Sequence, residues 1–121
     1  MSSGLKLAAA EERLAEIIWA TAPVNSTELA KTTKRDFGWG KSTTYTLLKR
    51  LSNKGVIKTE NATVLVLVPK DEYITGRSRD FVSGRFGGSL PAFITSFVGD
   101  GKLSDTQADE LIRLIRSHKE D

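Results

Sequence analysis

Ser42, Thr43, Tyr45 and Thr46 bring a cluster of hydroxyl groups together, with Lys41 just before them and Lys49 and Arg50 one turn after. Hydroxyls exchange hydrogen bonds with base edges, and cations neutralise phosphates, so this order suits a surface that reads duplex DNA. Leu47, Leu48 and Leu51, with Thr44 a turn earlier, take the three-and-four spacing of a buried helix face. That leaves the hydroxyl and basic groups outward. Gly55 stops the helix, and Val56-Ile57 opens an extended run. The pattern also fits a surface helix with a merely solvated basic face. Each hydroxyl has helix capping as a competing role, Ser42 most of all.

Charge sharpens the first reading. The chain of 121 residues carries a net +3. Residues 31–58 alone hold eight basic side chains against Asp36, a local +7. From Lys70 onward the balance is −1. Positive charge is thus concentrated around the candidate reading helix, as in nucleic-acid binders. Lys41, Lys49, Arg50 and Lys58 are assigned mainly to phosphates. Lys49 or Arg50 can instead lay its aliphatic stem inward.

Other chemistries find little support. With no cysteine, neither a disulfide nor a thiolate metal site can form. His118, the one histidine, sits in a charged last turn, where it complements a helix dipole more naturally than it binds a metal. No metal and no cofactor is expected. Gly40-Lys41-Ser42-Thr43 resembles the tail of a phosphate-binding loop, but Arg35 stands where the motif needs its first glycine. No signal peptide or membrane span is visible, and Val64–Val68 is too short for one. The expectation is a soluble cytoplasmic protein, in which the acceptor triplet Asn61-Ala62-Thr63 is a chance match.

The elements that must position the reading helix follow in order. Leu7, Ala10, Leu14, Ile17 and Ile18 predict an amphipathic helix, with Glu11, Glu12, Arg13 and Glu16 outside its stripe. Trp19 closes it and Ala22-Pro23 breaks it. Asn25 caps a second helix with Glu28 as its capping-box partner, stapled by Val24 and Leu29 and running to about Thr33. Lys34 to Gly40 reads as a basic connection, with Phe37 and Trp39 as core plugs. Val56–Glu60 and Val64–Val68 read as a hairpin turning at Asn61-Ala62-Thr63 and ended by Pro69. Asn61 and Thr63 at its tip either touch the DNA backbone or form a solvated turn. Three helices and a hairpin over residues 1–70 make a winged helix-turn-helix, mainly α with a small β element.

Residues 71–121 predict helices only. Tyr73, Ile74, Phe81, Val82 and Phe86 space a helix that Gly87-Gly88 ends. Leu90, Phe93, Ile94, Phe97 and Val98 form a wide apolar stripe on a short helix. After the Gly99-Asp100-Gly101 turn, Ser104 and Gln107 box a last helix with Ala108, Leu111, Ile112 and Ile115 inward. So few helices of such apolarity do not close a core alone. Pairing with a second copy would bury them, so the segment is assigned to a homodimer.

Over nearly its whole length the chain resembles the penicillinase/methicillin-resistance repressors. The residues that carry the likeness are Leu7, Ala10-Glu11, Ile17-Ile18-Trp19, Val24-Asn25, Trp39, Thr43, Thr46, Leu48, Arg50-Leu51 and Lys54-Gly55. Tyr73-Ile74, Phe81, Gly88, Leu90, Leu103-Ser104 and His118-Lys119 extend it into the tail. The resemblance implies a homodimeric repressor, not an enzyme, that binds an operator palindrome in double-stranded DNA. It also implies control of a β-lactam-resistance regulon and inactivation by a regulatory protease. The bond matching the family's cleaved Asn-Phe is Ser96-Phe97.

Several positions depart from that pattern. Ser96 replaces the family's Asn, Lys41-Ser42 stands where those repressors carry Pro-Lys, and Tyr45 where they carry Gln. The C-terminal cysteines of the family's copper-responsive branch are missing. A DNA-binding repressor is the first reading, with an unrelated regulon and a different inducer as the alternative. A winged helix devoted to protein contacts and a nucleotide-hydrolysing enzyme are further classes. The +7 stretch argues against the former and Arg35 against the latter.

Overall fold

Asn25 does two jobs at once. In the computed structural model, which describes residues 4–119, its backbone belongs to a two-residue strand while its side chain caps the helix that follows. The elements are α1 (Ala9–Thr21), β1 (Val24–Asn25), α2 (Ser26–Phe37), α3 (Lys41–Asn53), β2 (Ile57–Glu60), β3 (Thr63–Val66), α4 (Lys70–Phe86), α5 (Leu90–Val98) and α6 (Asp105–Ser117). The Asn25 Oδ1 accepts from the Thr27 and Glu28 N–H groups at 2.8 and 3.3 Å. The predicted capping box is only half made, because the Glu28 carboxylate turns to Lys31 at 3.4 Å.

The hairpin expected from the sequence is part of a three-stranded antiparallel sheet in the order β1-β3-β2. Val24 pairs with Val64 and Asn25 with Thr63, so β3 is the central strand. A strand of two residues leaves no periodicity to read. The turn also differs from expectation. Glu60 pairs directly with Thr63, leaving Asn61 (φ 50°) and Ala62 (φ 64°) as a two-residue turn with both residues left-handed. Thr63 is therefore a strand residue and not at the wing tip. The Ala62 carbonyl accepts from the Ser26 N–H at 2.8 Å, which ties the tip to the start of α2. β3 ends at Val66, and the Leu67 and Val68 N–H groups both return to the Val56 carbonyl.

The core joins α1, α2, α3 and the sheet through Leu14, Ile18, Leu29, Leu51, Val56 and Val64, all essentially sealed from solvent. α2 and α3 are clasped by two buried threonines, whose Oγ1 atoms lie 2.6 Å apart. Thr33 spends its single proton on the Ala30 carbonyl, so Thr44 is the donor of the clasp. α2 continues past Thr33 to Phe37, because no breaker precedes Gly38, which caps it at φ 72°. Lys34 and Arg35 in that added turn complement the helix dipole. Trp39 packs partly on the core. Phe37 is half-buried, its ring 4.9 Å from that of Trp39.

Two assignments on α1 are reversed. Ala10, expected inward, is exposed, and Glu11, expected outward, is only 3% exposed. Glu11 shares a face with Leu14 and Ala15 and is accommodated by partners. Its Oε1 accepts from Lys54 Nζ at 2.6 Å and from the Ala8 N–H at 2.7 Å. Burial pushes this carboxyl up, but the Lys54 ammonium and the Ala8 N–H outweigh burial, and the net direction is down.

This first compact unit runs to Phe81 and takes in the larger part of α4. Tyr73 is buried, its hydroxyl donating to Glu12 Oε2 at 3.0 Å and accepting from the Leu7 N–H at 3.3 Å. Lys70 pairs with Glu16 at 2.8 Å, and Trp19 Nε1 donates to the Val68 carbonyl at 2.9 Å. The second unit starts at Val82. Its helices are well capped, Ser89 accepting from the Ala92 N–H and Ser104 from the Gln107 N–H, both at 3.1 Å. Yet neither α5 nor α6 buries a single residue. Leu111 is half-buried, while Phe97, Ile112 and Ile115 are 70, 46 and 58% exposed.

Candidate nucleic-acid interface

α3 is anchored on one side by Thr44, Leu47, Leu48 and Leu51. At about 100° per residue, the opposite line of the helix carries Ser42, Thr46, Lys49 and Asn53, and all four are exposed. Asn53 falls outward by the same helical count but was not among the residues assigned to DNA from the sequence. Gly40 is the N-cap and no side chain bonds there, so Ser42 is not a cap and its hydroxyl is free to face outward. Both Lys49 and Arg50 are exposed.

The flanks of α3 differ. Toward α1, Ala10, Ser42, Thr43, Thr46, Leu47 and Arg50 line an open groove of about 280 Å³. Thr43 and Arg50 stand on that side. Toward α2, Tyr45 is half-buried against the core. The Thr27 hydroxyl, and after it that of Ser26, holds the Tyr45 phenol below its ordinary range, with Lys41 adding to the effect. Lys41 Nζ lies 5.8 Å from the centre of the Tyr45 ring. The structure thus turns Tyr45 toward the start of α2, away from the outward line.

The local +7 is not all available to a ligand. Lys54 is committed to Glu11, and the exposed pairs Lys31–Glu28, Arg35–Asp36 and Lys58–Glu60 occupy three more cations. Among the described residues, Lys34, Lys41, Lys49 and Arg50 have no carboxylate partner. Three of those four stand on α3. An exposed pair such as Lys58–Glu60, at 2.9 Å, contributes about 0–1 kcal/mol and opens readily toward a phosphate. Asn61 is exposed in the turn beside it, and Thr63 is half-buried in β3.

Among the described residues there is no cluster of ligands able to hold a metal ion, and no helix is long and apolar enough to cross a membrane. Gly40-Lys41-Ser42-Thr43 opens α3 directly after α2, without the strand that a phosphate-binding loop requires.

A family model of penicillinase repressors matches residues 7–117, from the start of the core through α6. The chain belongs to the penicillinase repressor family. A penicillinase repressor of Bacillus licheniformis is 27% identical over 114 residues, spanning 91% of this chain and 89% of that one. The family consists of non-enzymatic transcriptional repressors that act on DNA, and the winged helix-turn-helix described above is the expected vehicle. The match covers both units, so the exposed helices after Val82 are as much part of the repressor as the winged unit.

Proposed function

We propose that this repressor works as a two-fold dimer on a palindromic operator, with α3 of each copy in a major groove. The observation that carries this is the exposed line Ser42, Thr46, Lys49 and Asn53, on a helix whose other face is sealed in the core. Thr43 and Thr46 reach base edges beside Ser42, while Lys41, Lys49, Arg50 and Lys58 hold phosphates. Tyr45 contributes by steadying Lys41 rather than by reading a base. Asn61 touches backbone from the wing tip, with Thr63 setting the turn behind it.

Dimerisation falls to Leu90, Phe93, Ile94, Phe97 and Val98 of α5 and Leu111, Ile112 and Ile115 of α6. An apolar stripe of this width left wet forfeits about 25 cal/mol per Å². Pairing of copies recovers that energy and brings two readers to one site at high effective concentration. Ser96-Phe97 lies in α5, a helix without a buried residue. Such a helix opens locally at small cost, so a regulatory protease can reach the bond and dissolve the dimer. A β-lactam-resistance regulon is the family's precedent. Ser96, in place of the family's Asn, favours the second reading of a different inducer and regulon.

Recovery of bound fragments from sheared host DNA tests the proposal. Enrichment of fragments sharing an inverted repeat, with half-sites about one or two helical turns apart, is expected. Recovery of fragments without a common repeat would contradict it.

A further inference from the structure

The surface residue that the reading of α3 leaves unexplained is Arg13. It is exposed on α1, and its natural helical partner at i+3, Glu16, is bonded to Lys70 instead. The other nearby carboxylates are also engaged, Glu11 with Lys54 and Glu12 with the Tyr73 hydroxyl. Among the described residues Arg13 has no carboxylate partner. Its guanidinium carbon lies 4.0 Å from the centre of the Phe37 ring and 5.6 Å from that of Trp39. A guanidinium lying over an aromatic ring keeps its charge, and its N–H groups can still reach an oxyanion.

The place of this stack matters. Phe37 ends α2 and Trp39 precedes Gly40, the N-cap of α3, so the two rings flank the turn leading into the reading helix. Ala10, one turn before Arg13 on α1, lines the same groove as Ser42, Thr43, Thr46 and Arg50. Position 10 presents only a methyl group, so a sugar-phosphate strand can come close along that side of α3.

We propose that Arg13 is a DNA-backbone contact, held ready by the Phe37–Trp39 pair, that extends the interface from α3 onto α1. The inference rests on the operator-binding reading above and adds a residue and an element to it. The aromatic stack removes side-chain freedom from Arg13 before binding, so less entropy is lost when the phosphate arrives. Because the contact is to a phosphate, it acts on any sequence alike.

The test uses the full-length protein and a duplex of arbitrary sequence about three helical turns long, titrated at several salt concentrations. Arg13→Gln is expected to weaken binding several-fold at low salt. It should also flatten the plot of log affinity against log salt by about 0.9 for each phosphate released. Arg13→Lys should keep the parent slope while losing part of the affinity. Phe37→Leu, which removes a stacking face and no charge, should likewise keep the slope and bind more weakly. Thermal unfolding of each variant separates this from a purely structural role. An Arg13→Gln protein that melts earlier but keeps the parent slope and affinity would overturn the inference, showing a clamp on the turn and no DNA contact. A parent protein with no salt-dependent binding would overturn the operator reading along with it.

Discussion

α3 and α6 are each thirteen residues long and each carry leucines or isoleucines at helical spacing. α3 buries four residues and α6 none. In the first unit most apolar side chains are covered within the chain, Leu67, Ile74 and Phe81 being the large ones left about half exposed. In the second unit Leu90, Phe97, Leu114 and Ile115 are all more than half exposed. Those helices are capped and touch through Phe93, Phe97 and Leu111, but none of their side chains is fully covered. The difference teaches that amphipathic spacing sets which face must be covered, while the covering itself depends on neighbours. The winged unit supplies its own, while the C-terminal helices leave much of theirs uncovered, the surface proposed above to pair with another copy.

The comparison can be broken by paired truncations. Leu51→Ala in α3 removes a fully buried side chain and should cost about 2–5 kcal/mol in chemical denaturation of the winged unit. Leu114→Ala, at a residue 55% exposed, should stay within about 0.5 kcal/mol when measured on dilute, unassociated chain. Equal losses at the two sites would erase the distinction. The threonine clasp gives a smaller and directional effect. Thr33→Val strands the buried Thr44 proton and should cost about 1–3 kcal/mol. Thr44→Val leaves Thr33 bonded to Ala30 and should cost less, about 0.5–1.5 kcal/mol. The reverse order would show that the donor has been assigned to the wrong threonine.

The two units were also unequally legible in the sequence. α3 could be read because Leu47, Leu48 and Leu51 fix its inner face, and the outer line follows from geometry. Ser104 announces α6 through its local cap, whereas the Ser89 cap of α5 was not singled out. Features that depend on distant partners were hidden. Glu11 looked exposed because its partner, Lys54, is 43 positions away. Ala10 looked buried from its spacing, whereas its face meets an open groove. Tyr45 and Arg13 take their orientation from α2 and from the Phe37–Trp39 turn, which no local pattern specifies. β1 is too short to show alternation, and the basic residues before Gly38 resemble a connection although no breaker ends α2 ahead of that glycine.

Two weaker effects sharpen the picture within the first unit. The net lowering of the Glu11 pKa means that its contribution is fully present above the unfolded carboxylate range. It is lost as pH falls through the lowered folded value. Denaturation midpoints followed from about pH 6 to about pH 3 should therefore drop on the acid side. Glu11→Gln should start less stable and respond less to acid. A parallel pH dependence in the two proteins would remove Glu11 from the account. The smallest expected change is a gain. Ala62 sits at φ 64° in the hairpin turn, a conformation that costs an L-residue energy. Ala62→Gly should raise stability by about 0.5–1 kcal/mol in thermal unfolding, and a loss would mean the turn is not left-handed there.

The claim that the second unit exists to pair copies, and that pairing makes the first unit an effective repressor, is tested most directly at Phe97. This ring is 70% exposed and belongs to the second unit, so Phe97→Asp alters no residue of the winged unit. Light scattering and operator titration are performed on the same samples of parent and variant. A dimeric parent and a folded, monomeric variant are predicted, with variant affinity lower by about two decades or more as avidity is lost. A Phe97→Asp protein that stays dimeric, or a monomer that binds operator as tightly as the parent, would contradict the account.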